Sequence, residues 1–463
     1  MIEEDDVMTA RDSALAKRDI AHHLHPQTNL RLHEQLGPLL IERGEGIYVF
    51  DEQGRRYIEG MSGLWCATLG FSQPRLAEAA YAQMLKLPYQ QTFAHRSHGP
   101  AADLAAELVA HAPAGLGKVV FQSSGSEAID TAIKFVRYYH IALGKPGKTR
   151  LIARHRSYHG TTLAAASLTG LPNMHKGWGE PLADVIHVRC PHLYRQGLPG
   201  ETEEAFSTRL AKELEQAILD AGPETIGAFF AEPVMGTGGV ILPPAGYFAK
   251  VQAVLRKYDI LMVADEVICG FGRTGYYWGC HAMGIQPDML TCAKGLSAAF
   301  QPISALLLSD QVYQVIADQS NTLGGLGHGY TYGGHPVAAA VALETLRMYD
   351  EMDIVEHVAE VAPAFQAGVK AFADHPLVGE ARGIGLMAAL EFVADKQTRE
   401  PFPAELKVAS KVSDVLQRNG ILLRALGDTL VMAPPLIVDA DQIQTILKAV
   451  AQALDEVLAS IRP

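Results

Sequence analysis

Cysteine is scarce and scattered along this chain. The five cysteines in 463 residues, Cys66, Cys190, Cys269, Cys280 and Cys292, include no C-x-x-C pair. That excludes a disulfide framework and leaves a cysteine-based zinc site without its spacing. Free thiols fit a reducing compartment, so the expected location is cytoplasmic. Positive charge is also in deficit: Lys+Arg 39 against Asp+Glu 51 gives a net charge of −12 with histidines neutral. A duplex or an anionic bilayer is gripped mainly through cations, so neither nucleic acid nor membrane is an expected partner. No long uninterrupted apolar stretch exists, which excludes an ordinary spanning helix. The opening Met1–Asp6 is acidic where a secretory signal would be basic. Ser/Pro-rich linkers, internal repeats and low-complexity tracts are missing too. Two interleaved domains therefore fit better than the three that length alone suggests.

What is present reads as globular: 48% hydrophobic and 19% charged residues. Between about residues 70 and 335, short apolar runs alternate with helical patterns. The predicted strands are 118–122, 151–154, 185–188, 227–231, 260–265, 289–293 and 303–308, with helices such as 127–139 and 247–258 between them. Continuous rather than alternating apolar runs indicate strands covered on both faces, hence a mostly parallel, seven-stranded sheet flanked by helices. Ligands in such α/β sheets sit beyond the carboxyl ends of the strands, so the residues just after each strand carry the functional information. The predicted large domain spans 71–335. A smaller α+β domain takes 1–70 and 336–463, with strands at 384–392, 421–424 and 429–432 and a pairing segment around 46–58. Its last helix is set by Ile443, Ile446, Leu447, Val450, Leu454, Val457 and Leu458, which recur at three- and four-residue steps.

Three strand-end motifs stand out. Ser123-Ser124-Gly125-Ser126 follows a strand and opens a helix, which makes either a serine N-cap or an anion site of small residues and backbone N–H groups. No G-x-x-x-x-G-K-[ST] accompanies it, so nucleotide hydrolysis loses its main support. The run Ile260–Asp265 delivers a carboxylate to the ligand edge, where it caps a turn or pairs with a protonated ring nitrogen. Lys294, in Thr291-Cys292-Ala293-Lys294-Gly295, ends another strand 29 residues later, about one strand–helix–strand unit. It is either a solvated lysine or a Schiff-base lysine whose amine burial sets free. Each has a plain reading alone. Together, a phosphate cradle, a strand-end carboxylate and a strand-end lysine match the needs of pyridoxal 5′-phosphate, with Tyr158 placed to cover the ring.

With those residues in view, the sequence resembles the class III (omega) aminotransferases of pyridoxal-phosphate fold type I over nearly its whole length. The matching segments include HHLHP (22–26), GLWC (63–66), SGSE (124–127), YHG (158–160), AEP (231–233), DEVICGFGRTG (265–275), AKG (293–295), HGYTY (328–332) and APPL (433–436). The resemblance implies that Ser124, Gly125 and Ser126 serve the phosphate, with Thr331 reaching it from a partner subunit. Tyr158, with the adjoining His159, and Val267 would contact the ring. Asp265 would pair with the ring nitrogen, and Glu232 would organise the surroundings. Lys294 would hold the cofactor and then carry the proton between two carbons, so burial of Lys294 is expected. Leu64, Trp65 and Phe93 would line the substrate pocket. Arg424 would be a mobile carboxylate clamp.

The activity implied is ping-pong transamination, via pyridoxamine phosphate, between a primary amine, diamine or omega-amino acid and an oxo acid. Ile268 stands where GABA, ornithine and acetylornithine enzymes usually carry glutamine, which points to the omega-amine, diamine or β-alanine group and to pyruvate as acceptor. The alternatives are a 2-oxoglutarate-dependent GABA- or diamine-type enzyme, and an aminomutase on the same fold. The assembly implied is a homodimer with shared active sites, or a tetramer. Two decoys are set aside. Gly383-x-Gly385-x-x-Ala388 imitates a dinucleotide fingerprint but is followed by a strand rather than a helix. The histidines at 22, 23 and 25 lack an adjacent carboxylate or cysteine, so no metal is expected.

Overall fold

The computed structural model describes residues 13–179, 182 and 184–461; the acidic opening Met1–Asp6 lies outside them. A seven-stranded sheet forms the centre, in the order Leu116–Gln122, Ser304–Ser309, Met289–Cys292, Leu261–Asp265, Ile226–Ala231, Arg150–Arg154, Val185–Val188. Only Ser304–Ser309 runs against its two neighbours; the other pairings are parallel. All seven predicted strands are present, displaced by two residues at most.

The continuous apolar runs arise because both faces of this sheet are covered. Along Ile226–Ala231, Phe229 and Ala231 join one core cluster while Ala228 and Phe230 join the other, and every residue of the strand is buried. The first core also contains Val251 and Leu255 from helix Tyr247–Lys257 and Leu210 and Leu214 from helix Glu203–Ala221. The second contains Ile129, Ile133 and Val136 from helix Gly125–Ala142. Each fully buried large side chain contributes about 2–3 kcal/mol of transfer free energy, so the sheet is a stiff platform for whatever projects from its edge.

Two smaller sheets accompany it among the described residues. One pairs Ile41–Glu45, Tyr48–Asp51, Arg56–Glu59 and Ile421–Leu422, and so draws strands from both ends of the chain. The other orders Val378–Ile384, Met387–Phe392, Thr429–Met432 and Arg424–Leu426. Two expectations need correction here. The strand read over 384–392 is the second half of a hairpin, because Gly385 at φ +56 turns the chain and Val378–Ile384 pairs back on it. The strand read over 421–424 divides at Leu423 between the two sheets. Gly383 therefore belongs to a hairpin, and the dinucleotide imitation has no helix to open. The last helix, Ala440–Ile461, buries Ile443, Ile446, Leu447, Val450, Leu454 and Val457 as expected, with Leu458 half-buried. Helix Pro336–Glu351 packs on Pro74–Lys86 and Gly99–His111. Among the described residues no helix is long and apolar enough to cross a membrane.

Candidate active site

Five strands of the central sheet end on one edge, and each delivers a residue to the same place. After Gln122 the chain enters helix Gly125–Ala142 through two side-chain caps. The Ser124 Oγ accepts from the Glu127 N–H at 3.2 Å, and the Glu127 carboxylate accepts from the Ser123 N–H at 2.7 Å. The N–H groups of Gly125 and Ser126 then sit in the first turn, where a helix has no internal acceptors to offer. Space at Gly125 is tight: a Cβ there would lie 3.2 Å from a Val267 methyl. Gly160 is required twice over, by its φ of +137 and by a Cβ that would fall 2.4 Å from Ser126 Oγ.

Strand Leu261–Asp265 places its terminal carboxylate next to an imidazole. Asp265 Oδ2 lies 2.7 Å from His159 Nδ1, and Oδ1 accepts from the Val267 N–H at 3.1 Å and the Thr291 hydroxyl at 3.4 Å. Both side chains are buried. Glu232, just after Ile226–Ala231, accepts from the N–H groups of Tyr158 and Gly236, each at 3.1 Å. It thereby fixes the backbone on which Tyr158 stands. Burial raises the Glu232 carboxyl above the ordinary range, with His159 and Arg154 opposing and Asp265 reinforcing the rise.

Lys294 follows strand Met289–Cys292 in a left-handed conformation, φ +45. Burial lowers its ammonium pKa, against the pull of Asp265. No hydrogen bond or ion pair among the described residues holds its Nζ, which leaves the amine available for chemistry.

These residues enclose a cavity of about 160 Å³, lined by Gly125, Ser126, Tyr158, His159, Gly160, Glu232, Asp265, Val267, Ile268, Ala293 and Lys294. The lining fits pyridoxal phosphate. Small residues and first-turn N–H groups suit the phosphate, Tyr158 and Val267 flank the space for a ring, Asp265 suits a protonated ring nitrogen, and Lys294 offers an uncommitted amine.

A second cavity of about 550 Å³ opens from the first and shares Tyr158 and Lys294 with it. Its walls include Gln27, Leu64, Trp65, Arg156, Leu171, Asn173, Met174, Thr237, Arg424 and Leu426. Leu64 and Trp65 lie on a turn with left-handed backbone at Ser62, Gly63 and Trp65. The buried Glu59 accepts from the Gly63 N–H beneath that turn, and its carboxyl is pushed up to about 7 by burial. Arg273, fully buried, bonds Ser62 Oγ at 3.1 Å and the carbonyls of Leu386 and Pro434 at 3.0 and 2.6 Å. Burial lowers the Arg424 pKa and raises that of the Tyr158 phenol, and each moderates the other's shift.

Most of the expected site residues therefore meet in these two cavities, and three do not. Ser124 lines neither; its hydroxyl is the helix cap. Phe93 does not line the substrate cavity of its own chain. It is exposed beside the glycine-rich segment, in a surface hollow shared with Lys134, Gly324 and His328. Thr331 is exposed too, on the stretch where its carbonyl accepts from the Tyr89 hydroxyl at 2.8 Å, and it touches neither cavity of its own chain. Sequence reasoning missed Gln27, Arg156, Asn173 and Met174. Arg156 stands two residues before Tyr158 at φ +70, a position no periodicity announces.

Comparison with known proteins gives a consistent picture. The family profile described as aminotransferase class-III matches residues 31–454. A gamma aminobutyrate transaminase 1 of Solanum lycopersicum, named as mitochondrial, is 51% identical over 420 residues, 90% of this chain and 82% of that protein. The omega transaminase of Pseudomonas jessenii solved in complex with PMP superposes with a TM-score of 0.96 at 52% identity, covering 97% of this chain and all of that one. A transaminase solved with L-alanine gives a TM-score of 0.90 at 52% identity, over 91% of this chain and 100% of the other.

Proposed function

The chain belongs to the class-III aminotransferases, pyridoxal-phosphate enzymes of fold type I, and from that premise we propose that it moves an amino group from a primary amine or omega-amino acid to pyruvate. The observation that carries this reading is the sharing of one cavity by Lys294, Arg424 and an apolar wall of Leu64, Trp65, Leu171 and Leu426. An amine enters toward Lys294; a carboxylate, where the substrate has one, meets the Arg424 fork. Amines without a carboxylate are accommodated by the apolar wall.

When bound, pyridoxal phosphate supplies an aldehyde that condenses with amines and a ring that takes up the electron pair left when a proton leaves carbon. This chain's residues do the rest. Gly125 and Ser126 hold the phosphate through backbone N–H groups and a hydroxyl. Asp265, an acceptor fixed by the Val267 N–H and the Thr291 hydroxyl, keeps the ring nitrogen protonated. Tyr158 and Val267 fix the ring plane. Lys294 Nζ would hold the cofactor, and as a free amine it would take up a proton and return it within the cavity. The depressed basicity of Lys294 suits that work, because a general base serves best when its pKa lies near the working pH.

Pyruvate is supported by the relative solved with L-alanine, the amino acid that pyruvate becomes, and by Ile268 in place of the usual glutamine. A second reading, a GABA-type enzyme using 2-oxoglutarate, is favoured by Arg156, a second guanidinium on the same cavity. The reading extends to a cytoplasmic homodimer in which the exposed Phe93 and Thr331 of each subunit complete the neighbour's site. Half-reactions separate the acceptors. Amines, diamines and omega-amino acids should bleach the holoenzyme's cofactor band, and pyruvate should restore it; restoration by 2-oxoglutarate alone would defeat the pyruvate assignment.

A further inference from the structure

The histidine-rich segment that the catalytic account leaves unused is organised around one carboxylate. Asp19 lies on helix Ala14–His22, near its end. His23 Nδ1 is 3.2 Å from its Oδ1, and His25 Nε2 and His33 Nε2 are 2.7 and 3.3 Å from its Oδ2. Ring centroids are 4.5 Å apart for His23 and His25 and 4.0 Å apart for His25 and His33. His33 comes from the next helix, Leu30–Leu36, so the four groups join two helices and the turn between them.

We propose that Asp19, His23 and His25, with His33 packed beside them, form a binding site for a divalent transition-metal ion of the zinc type, outside the catalytic cavities. Geometry comes first. Tetrahedral ligands at about 2.05 Å from zinc stand about 3.3 Å from one another, and the ligand atoms of Asp19, His23 and His25 all lie within 4.8 Å of one another. The second observation is a buried imidazole backing the site: the His33 side chain is only 9% exposed and its Nε2 lies 3.3 Å from Asp19 Oδ2, which holds the carboxylate in place. Chemistry comes third. Two imidazoles and one carboxylate, with a fourth position open to water, select zinc, cobalt, nickel or copper over magnesium or calcium, which prefer all-oxygen shells.

Two other clusters lack this character. His192, Glu380 and Glu391 already enclose the Arg382 guanidinium, 2.6 Å from Glu391. Glu107, His111 and Asp350 offer one imidazole and a half-exposed aspartate.

The site has a route to the substrate. Two residues after His25, Gln27 takes a left-handed φ of +55, lines the larger cavity, and donates from Nε2 to Met174 Sδ at 3.3 Å. An ion tying Asp19 of the first helix to His23 and His25 just after it holds that turn, and with it Gln27, against the cavity mouth.

The test uses holoenzyme stripped with EDTA, reloaded with zinc chloride and desalted. Zinc per subunit is then measured by atomic spectroscopy beside the cofactor content and the circular dichroism spectrum. Wild type should retain one zinc per subunit. His23→Gln and Asp19→Asn/His25→Asn should weaken retention by about 100-fold or more while keeping cofactor and fold. Stripping wild type should raise KM for the donor amine about fivefold at constant kcat, the loss of one neutral hydrogen bond. Wild type that retains no zinc, or both variants retaining it as wild type does, overturns the site. Zinc retained with an indifferent KM overturns the connection to Gln27.

Discussion

Replacing Glu59 by glutamine should make the enzyme's stability less dependent on pH, by an amount the structure sets. Burial moves this carboxyl from its ordinary 4.5 to about 7, with the N–H groups of Gly63 and Met61 and the charge of Arg273 pulling the other way. Between those two values the native state keeps a proton that the unfolded chain has lost. Stability is therefore fully present below about pH 4.5 and is lost as pH rises through about 7. At about 1.36 kcal/mol per pH unit, the contribution forfeited by pH 8 is about 3 kcal/mol. Glu266, buried and accepting from the Gly279 N–H, has its carboxyl pushed up to about 7 and titrates with the same sign, but it is common to both proteins and cancels in their difference. Unfolding free energies from urea titrations of wild type and Glu59→Gln, at one protein concentration and at pH 5, 6, 7 and 8, supply that difference. The variant should gain about 2.5 kcal/mol relative to wild type across the series, most of it between pH 5 and 7. A difference that stays level with pH would refute the buried, proton-holding carboxyl beneath the Leu64–Trp65 turn.

Three further outcomes follow from the same geometry. Arg424→Leu should lower kcat/KM for carboxylate-bearing donors by about 100-fold, the worth of a charge-assisted pair, and leave a simple apolar amine within a few-fold of wild type in steady-state assays. Gly160→Ala should cost about 2–4 kcal/mol through a strained backbone and a collision with Ser126 Oγ, and it should shed cofactor on gel filtration. Arg273→Met strands the buried carbonyls of Leu386 and Pro434 and should lower stability by about 2–5 kcal/mol in urea unfolding.

The sheet and the inner cavity were legible in the sequence for one reason. A strand covered on both faces is a continuous apolar run, so its end is visible, and Asp265, Glu232 and Lys294 each sit within two residues of such an end. The misreadings have equally local causes. Gly385 turns the chain inside what looked like one strand, and Leu423 separates two sheets within a single apolar run. Ser123-Ser124-Gly125-Ser126 suits a cap and an anion cradle alike, and the structure gives Ser124 to the cap while Gly125 and Ser126 line the cavity. Arg156 and Gln27 reach the larger cavity from left-handed positions that leave no periodic trace. The histidines at 23 and 25 looked partnerless because their carboxylate, Asp19, lies one helical turn back and His33 arrives only when the second helix folds over.

The central claim is that one lysine carries the cofactor. Reducing the holoenzyme with borohydride, digesting it and mapping the peptides by mass tests this directly. The account predicts the pyridoxyl mass on Lys294 and on no other residue, and no such adduct in Lys294→Ala. Attachment to a different lysine, or an unmodified Lys294 in protein that still turns over, would contradict it.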